Sequence, residues 1–159
     1  MLRKLHTLGR IDRNIMRALQ SDARISFAEL ARRVGLTTTP CKERVKKLEQ
    51  TGVIRGYHTN LNPEYLDAGL VVFVQIRLNR TSQDIFEEFT QASVELPEIQ
   101  ACYLVSGNFD YLIKARVADM AAYRKFLGET LLTLPGVQES TSYVVMEEVK
   151  DTLALDVPF

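Results

Sequence analysis

Apolar residues recur at helical spacing near the start of the chain. Ile11, Ile15 and Leu19 lie about one helical turn apart, with Asp12 suited to the first turn or to the N-terminal cap. Polar residues then interrupt the pattern from Ser21 onward. We therefore predict a first amphipathic helix that ends near this residue.

Two further helices follow, each with its own start and stop signals. Ser26 and Glu29 match the S-x-x-E capping box at the start of a second helix, and Gly35 suits its left-handed stop. Thr37 is a good N-cap for a third helix, in which Pro40 falls in the first turn, where its missing N–H costs nothing. A short turn thus separates two predicted helices of roughly 8 and 13 residues.

A different pattern begins near Pro63, after a short strand predicted over residues 53–57. Strands are predicted over residues 70–79, 99–105, 109–117 and 137–149, and helices over residues 84–95 and 119–134. Residues 106–108 carry the signal of a tight hairpin. The β-α-β-β-α-β order is a split β-α-β unit, which forms an antiparallel sheet with both helices on one face. The predicted fold class is therefore α+β.

The formal net charge of zero hides two halves of opposite sign. Residues 1–60 carry 13 Lys and Arg against 5 Asp and Glu, whereas residues 61–159 carry 7 against 15. A basic segment joined to an acidic one is typical of a polyanion-binding module attached to a separately built domain. Nucleic acid is therefore the partner class that the charge pattern favours.

Composition narrows the class of protein further. The 46% of apolar residues predicts a globular core. Residues 1–6 lack the apolar run of a secretion signal, and no segment approaches the roughly 20 apolar residues of a membrane span. Cys41 and Cys102 are far apart and have no CxxC partner, so we expect no disulfide scaffold and a reducing cytoplasm as the compartment.

Residues from about 27 to 46 have the helix lengths and the Gly-containing turn of a helix-turn-helix motif. Their cations can meet phosphates, and hydroxyl groups at the start of the third helix lie where backbone N–H groups also favour phosphate oxygens. The candidate DNA-binding residues are Arg32, Arg33, Thr37, Thr38, Thr39, Lys42, Glu43, Lys46, Lys47 and Arg55. The alternative is a helical bundle with a solvated basic face, but the concentration of positive charge on this small unit favours DNA binding.

Arg44 lies between the buried and the exposed face of the third helix. Either a carboxylate such as Glu49 or a DNA phosphate can hold its guanidinium. A structural role is favoured for this residue.

Ten runs of residues together carry a resemblance to a known family. They are residues 11–15 (IDRNI), 34–37 (VGLT), 40–41 (PC), 43–45 (ERV), 47–49 (KLE), 66–68 (LDA), 104–111 (LVSGNFDY), 122–125 (AYRK), 134–137 (LPGV) and 143–150 (YVVMEEVK). In these runs the chain resembles the Lrp/AsnC (feast/famine) regulators, in register over nearly its whole length. Two positions depart from the pattern. Thr38 replaces a proline, which predicts an altered base preference, and Asn108 replaces an aspartate, which removes one acid from the hairpin.

The resemblance implies a domain organisation. Residues 1–60 are expected to form a winged helix-turn-helix DNA-binding domain, and residues 61–69 a linker. Residues 70–150 are expected to form a ferredoxin-like domain, of the type called RAM, that binds an effector and mediates oligomerisation. The tail over residues 151–159 lacks a pattern, and we expect it to be loose or swapped onto a neighbouring chain.

The C-terminal half offers no catalytic constellation. The two histidines, His6 and His58, both lie outside it, and neither a Gly-rich phosphate loop nor a nucleophile elbow is present. The hairpin stands out instead, because Gly107 can expose backbone N–H groups to a carboxylate and Asp110 can pair with an ammonium. From the residues alone, a plain turn in which Asp110 bonds its own backbone is the favoured alternative.

The resemblance implies that this hairpin helps to build an amino-acid site between subunits. The candidate effector-binding residues are Leu104, Gly107, Asn108, Asp110, Met120, Leu132, Tyr143 and Val145. The alternative for the apolar members is an ordinary place in the core or in a dimer interface. We expect no metal and no cofactor, and we expect leucine or another small apolar amino acid as the effector.

These observations predict a cytoplasmic, nucleoid-associated transcriptional regulator that is not an enzyme and that controls genes of amino-acid metabolism. Its expected partners are double-stranded operator DNA, an amino acid and further copies of itself, as a homodimer that assembles to an octamer. No membrane is expected to take part. One alternative is an architectural DNA-binding protein that ignores effectors. Another is a small enzyme built on the same sheet, which leaves the basic half unexplained.

Overall fold

The computed structural model of the protein describes residues 8–79 and 82–158. These residues form two compact units: one runs to Asn60 and includes the tail from Asp151, and the other spans Leu61–Lys150. The expectations for residues 1–6, among them His6, and for Phe159 lie outside the described residues. Each unit has a hydrophobic core of its own.

Three helices build the first unit, and their boundaries follow the signals in the sequence. They are α1 (Arg10–Ser21), α2 (Phe27–Val34) and α3 (Thr38–Gln50). The Ser26 hydroxyl accepts a hydrogen bond from the Glu29 N–H at 3.2 Å, and Gly35 ends α2 with φ 72°. The buried side chains are Ile15, Leu30, Ala31, Val34, Cys41, Val45 and Leu48. The prediction of three helices is confirmed.

The strand predicted over residues 53–57 is wrong. This segment is a turn followed by irregular chain, in which the Ile54 N–H donates to the Leu48 carbonyl at 3.0 Å. A strand needs a neighbouring strand to pair its N–H and C=O groups, and the described residues of this unit contain none. Ile54 packs against the helical core instead, which accounts for the apolar residues of the segment.

The second unit is a four-stranded antiparallel sheet with two helices. Its elements are β1 (Leu70–Leu78), α4 (Gln83–Val94), β2 (Ile99–Leu104), β3 (Tyr111–Val117), α5 (Met120–Glu129) and β4 (Val137–Val144). The strand order is β2-β3-β1-β4, and all three strand pairs are antiparallel. The split β-α-β topology and the α+β class are therefore confirmed.

The two faces of the sheet differ in what covers them. One face is buried under α4 and α5, where alternate β1 residues such as Val72 and Ile76 pack against Phe89 and Phe126. Both helices therefore lie on one face, as predicted. The other face, which we call the open face, carries the intervening side chains, and no helix among the described residues of this unit lies over it. Its exposed aromatic groups include Tyr143, opposite Phe73 of β1.

The helix after β3 is shorter than predicted. The sequence predicted one helix over residues 119–134, but α5 ends at Glu129. Thr130 leaves helical geometry with φ −124° and ψ −64°, and Leu131–Thr133 form a separate turn of 3-10 helix. The turn buries Leu131 completely in the core, so tertiary packing overrides the continuous helical pattern.

Several strand ends also differ from the prediction. β4 ends at Val144 rather than at residue 149, because β1 begins at Leu70 and offers little further backbone for pairing. β2 ends at Leu104 and β3 begins at Tyr111, so a six-residue loop over residues 105–110 stands where a tight turn was predicted. Strand ends depend on the length of the partner strand, which the local sequence does not encode.

The two cysteines are free thiols, as the sequence predicted. Burial raises the pKa of the Cys41 thiol and of the Cys102 thiol, so neither is an activated nucleophile at neutral pH. Within the described residues, every helix is too short or too polar to cross a bilayer.

Candidate DNA interface and ligand-binding hairpin

All ten side chains predicted to contact DNA occupy exposed positions. Five of them share the exposed side of α3, whose opposite side is buried through Cys41, Val45 and Leu48. The five are Thr39, Lys42, Glu43, Lys46 and Lys47. A helix with three ammonium groups and a hydroxyl on one solvent-facing side has the chemistry to enter a major groove and to contact its phosphates.

The N-terminus of α3 is open rather than capped. Thr37 holds the N-cap position with φ −82° and ψ 163°, but its side chain makes no capping hydrogen bond. The first backbone N–H groups of a helix lack partners inside the helix and favour an anion. Together with the exposed hydroxyls of Thr38 and Thr39, this end of α3 is suited to a phosphate oxygen.

Arg32 and Arg33 are already held by a carboxylate. Arg32 donates to both oxygens of Glu29 at 2.8 Å, and Arg33 Nε donates to one of them at 2.9 Å. Hydrogen bonds from Arg32 and then Arg33 lower the pKa of Glu29 to about 2, and the bond to Glu29 raises the pKa of Arg32. The three side chains together carry a net charge of +1, so Arg32 and Arg33 offer DNA less positive charge than two unpaired arginines would.

Lys42 is oriented by an aromatic ring. Its Nζ lies 5.5 Å from the centroid of the Phe27 ring, within range for a cation–π contact. Lys46, Lys47 and Arg55 make no ion pair within the described residues, and they remain the freest cations of the predicted set.

Arg44 has a structural partner, in line with the favoured interpretation. Its Nη1 lies 2.9 Å from Asp12 Oδ1, so the ion pair joins α3 to α1 rather than to Glu49. Glu49 instead accepts a hydrogen bond from the Tyr57 hydroxyl at 2.9 Å. Burial, together with that bond, raises the pKa of Tyr57 to about 12. The contact fixes the chain that leaves α3.

The loop over residues 105–110 is tied to the end of β1. The Val105 N–H donates to the Asp110 carbonyl, and the Asp110 N–H donates to the Ile76 carbonyl, both at 2.9 Å. Asp110 Oδ2 also accepts the Leu78 N–H at 2.7 Å. The carboxylate thus bonds a neighbouring strand rather than its own backbone. This bond engages Oδ2, one of the two carboxylate oxygens.

Gly107 at the tip of the loop has the conformation that the sequence predicted. Its φ of 146° lies in the region that favours glycine, and no heavy atom lies within 4 Å of the place where a Cβ would stand. The backbone at Gly107 is therefore open to approach by a ligand.

A small cleft of about 100 Å³ lies beside this loop on the open face. It is lined by Gln75, Arg77, Asn108, Phe109, Glu139, Ser140 and Thr141. Arg77 donates from Nε and Nη2 to the Asn108 carbonyl at 3.1 and 2.6 Å, and its Nη1 lies 3.1 Å from Glu139 Oε2. Sequence reasoning missed Arg77, although a charged residue that alternates with buried Ile76 and Leu78 marks an outward strand position.

Four of the five predicted apolar residues of the site are exposed within one chain, and the fifth, Val145, is half-buried. Leu104, Met120, Leu132 and Tyr143 expose 43–63% of their surface, so a core role does not explain them. Leu104 stands beside the loop, opposite Tyr111, whereas Met120 follows the end of β3 that is remote from it. Among the eight predicted residues Asn108 lines the cleft, and Gly107 and Asp110 belong to the same loop.

Both units match known domain families. Residues 8–55 match a winged helix-turn-helix DNA-binding domain, and residues 71–155 match the Lrp/AsnC ligand-binding domain. The leucine-responsive regulatory protein of Escherichia coli K12 is 63% identical over 145 residues, which is 91% of this chain and 88% of the relative.

Solved structures have the same fold over almost the whole chain. A transcriptional regulator of Neisseria meningitidis in complex with L-methionine superposes with a TM-score of 0.88 at 36% identity, covering 94% of this chain and 96% of that one. An AsnC-family regulator of Agrobacterium tumefaciens has a TM-score of 0.88 at 37% identity, with 94% and 97% coverage. The chain therefore belongs to the Lrp/AsnC family of transcriptional regulators, with a winged helix-turn-helix domain followed by a ligand-binding RAM domain.

Proposed function

We propose that this regulator binds operator DNA through α3 and adjusts its assembly or its DNA affinity when a small apolar amino acid binds near the 105–110 loop. The observation that carries the proposal is the exposed side of α3, where Lys42, Lys46 and Lys47 project beside the open N-terminus of the helix. The genes under control are those of amino-acid metabolism.

Roles on the DNA side follow from the contacts of each residue. Lys46, Lys47 and Arg55 serve as phosphate contacts because no carboxylate neutralises them within the described residues. Thr38, Thr39 and Glu43 face solvent near the start of α3 and serve in base readout. Arg32 and Arg33 contribute less, because Glu29 shares their charge.

The ligand side is proposed to use two polar handles and an apolar wall. The open backbone at Gly107 and Asn108 receives the carboxylate, and Asp110 Oδ1 receives the ammonium. The proposed wall consists of Leu104, Met120, Leu132, Tyr143 and Val145. An apolar amino acid is favoured as effector because the Neisseria regulator was solved with L-methionine. Among apolar amino acids leucine is favoured, because the Escherichia coli relative is named leucine-responsive.

Assembly is part of the proposed function because the wall residues are not gathered around one pocket within a chain. We propose a homodimer that joins through the open face and assembles to an octamer, so that residues of two chains complete the site. The exposed aromatic side chains Tyr103 and Tyr143 on this face support such packing. The protein is proposed to act in the cytoplasm, associated with the nucleoid, without catalytic activity.

The test combines light scattering with DNA-shift titration, with and without leucine, isoleucine, valine, methionine, proline and alanine. A change in assembly or in DNA affinity with one of these compounds supports the proposal and identifies the effector. Tight DNA binding that none of them alters contradicts the sensor function and supports an effector-blind architectural protein.

A further inference from the structure

The C-terminal tail of the chain lies on the first helix of the DNA-binding unit. Arg17 Nε on α1 donates to the Val157 carbonyl at 2.8 Å. Gln20, one turn further along α1, makes two hydrogen bonds with the backbone of Leu155. The tail thus belongs to the first compact unit, although the ligand-binding unit precedes it in sequence.

The pairing of Gln20 with Leu155 is reciprocal. The side-chain amide donates from Nε2 to the Leu155 carbonyl at 2.9 Å, and Oε1 accepts the Leu155 N–H at 2.8 Å. A primary amide that satisfies both backbone groups of one residue imitates a strand neighbour. The contact requires an extended backbone at this point of the tail, so Gln20 selects a conformation as well as a position.

The tail is held by its backbone more than by buried side chains. Leu153 and Leu155 expose 86% and 76% of their surface, and only Val157 among the described tail residues is half-buried. A contact made of a few hydrogen bonds at the surface opens more readily than a packed core. The docked tail is therefore suited to a reversible contact.

The other end of the same segment is fixed inside the ligand-binding unit. Arg116 of β3, whose side chain is only 12% exposed, donates from Nη2 to both Glu148 oxygens at 2.8 Å. Its Nη1 also donates to the Ala68 carbonyl at 3.2 Å, in the chain that enters β1. One guanidinium therefore joins the segment that enters this unit to the segment that leaves it.

We propose that the surface of α1 around Arg17 and Gln20 is a docking site for the chain's own tail, and that this docking carries the ligand signal to the DNA-binding unit. The inference rests on the proposed regulatory function. Leu155 follows Glu148 by seven positions, and an extended chain over seven positions spans at most about 25 Å. If a rearrangement places Glu148 farther than this from the docked position of Leu155, the tail leaves α1. A smaller displacement of Glu148 leaves the tail docked.

The test uses the full chain and two ways of removing the contact. Gln20→Ala deletes the paired amide, and truncation after Asp151 deletes the tail itself. Gln91→Ala on α4 is the matched control, because it removes an exposed glutamine of the other unit. DNA affinity is measured by fluorescence anisotropy without and with saturating L-leucine, and again with L-methionine. Leucine and methionine affinities are measured by calorimetry.

The saturating amino acid is expected to change the DNA affinity of wild type and of Gln91→Ala by the same factor. This factor is expected to lie within the roughly 5- to 150-fold range typical of coupled sites. Gln20→Ala and the truncated chain are expected to bind DNA and amino acid within about threefold of wild type but to lose at least half of that coupling on a logarithmic scale. Unchanged coupling in both variants overturns the inference.

A wild-type chain that ignores leucine, methionine and the other four amino acids of the panel contradicts the proposed function, and a separate readout then decides the docking. Hydrogen exchange of the peptide over residues 152–158 is expected to be slower in wild type than in Gln20→Ala, because the Leu155 N–H loses its acceptor. Equal exchange in the two proteins overturns the docking site.

Discussion

At the scale of single residues, the carboxylate of Asp110 has two roles. It holds the end of β1, and it is proposed to bind the ammonium of the amino acid. Its Oδ2 accepts the Leu78 N–H at the end of β1, so loss of the side chain leaves that donor without its partner. Two substitutions separate the tasks. Asparagine keeps an oxygen acceptor but loses the charge, whereas alanine loses both.

We expect Asp110→Asn to weaken amino-acid binding by roughly tenfold or more. Its free energy of unfolding is expected to stay within about 1 kcal/mol of the wild-type value. Asp110→Ala is expected to show the same loss of binding and to cost about 1–3 kcal/mol of unfolding free energy, since the Leu78 N–H is left unsatisfied. Calorimetric titration and urea unfolding check the two quantities. Wild-type affinity in Asp110→Asn would show that the charge has no role in binding.

Lys46 and Lys47 carry the residue-scale prediction for DNA. Each alanine substitution is expected to weaken binding to all sequences and to reduce the slope of log affinity against log salt by about 0.9. Arg32→Ala is expected to change the slope less, because Glu29 shares the charge of Arg32. Filter binding or anisotropy over a salt series measures the slope, and Lys125→Ala in the other unit is the control. Equal slopes for Lys46→Ala and wild type would remove Lys46 from the phosphate contacts.

At the scale of elements, the sequence predicted helices better than strand ends. α2 begins and ends at local signals, Ser26 with Glu29 and then Gly35, all within ten residues of one another. β4 stops where β1 has little backbone left to pair, and the segment after α3 forms no strand because the described part of its unit holds no partner strand. These ends depend on residues distant in sequence, so a local pattern does not determine them.

The same distinction applies to the candidate site. A turn carrying Gly107 and Asp110 was predictable, because glycine and acidic residues favour turns. Its six-residue length and the bond of Asp110 to the Leu78 N–H were not. Arg77 was not, since its task depends on the Asn108 carbonyl, 31 residues away in sequence. The ion pair of Arg44 with Asp12 also crosses from one helix to another, and the sequence suggested Glu49 instead.

The carboxylate network on α2 gives a pH prediction. The pKa of Glu29 is lowered from 4.5 to about 2 in the folded chain, so its ionised form stabilises the fold above about pH 4.5. This contribution is lost as the pH falls from about 4.5 to 2. We expect Glu29→Gln to lose less stability than wild type over that window, most clearly at low salt because the network is exposed.

Urea unfolding at a series of pH values tests this expectation. Glu43→Gln on α3 is the matched control, since Glu43 is exposed and makes no ion pair within the described residues. The control is expected to follow wild type. The network has no influence on stability if Glu29→Gln follows wild type as well.

At the scale of the whole molecule, the two halves of the chain differ in charge, and the two faces of the sheet differ in what covers them. The basic residues lie in the helix-turn-helix half, and the acidic excess lies in the ligand-binding half. The open face carries the aromatic groups expected at a dimer interface. In the proposed function, DNA contact and self-association therefore use different units.

Tyr143→Glu tests the open face. A carboxylate opposite Phe73 is expected to oppose burial of this face and to shift the protein toward monomers, because an unpaired buried charge is costly. Multi-angle light scattering over a concentration series measures the shift. Tyr65→Glu is the control, because Tyr65 is 86% exposed and lies outside the sheet. Equal masses for the two variants would place the dimer contact elsewhere.

The return of the tail to α1 also bears on how the chain is completed during synthesis. The hydrogen bonds of Gln20 and Arg17 join residues 135 and 140 positions apart. At a translation rate of roughly 5–20 residues per second, about 7–28 s pass between the synthesis of α1 and the synthesis of the tail. The helical unit therefore first folds with this surface uncovered and gains its last contact after the ligand-binding sheet has been synthesised. A chain shortened by a premature stop lacks that contact permanently.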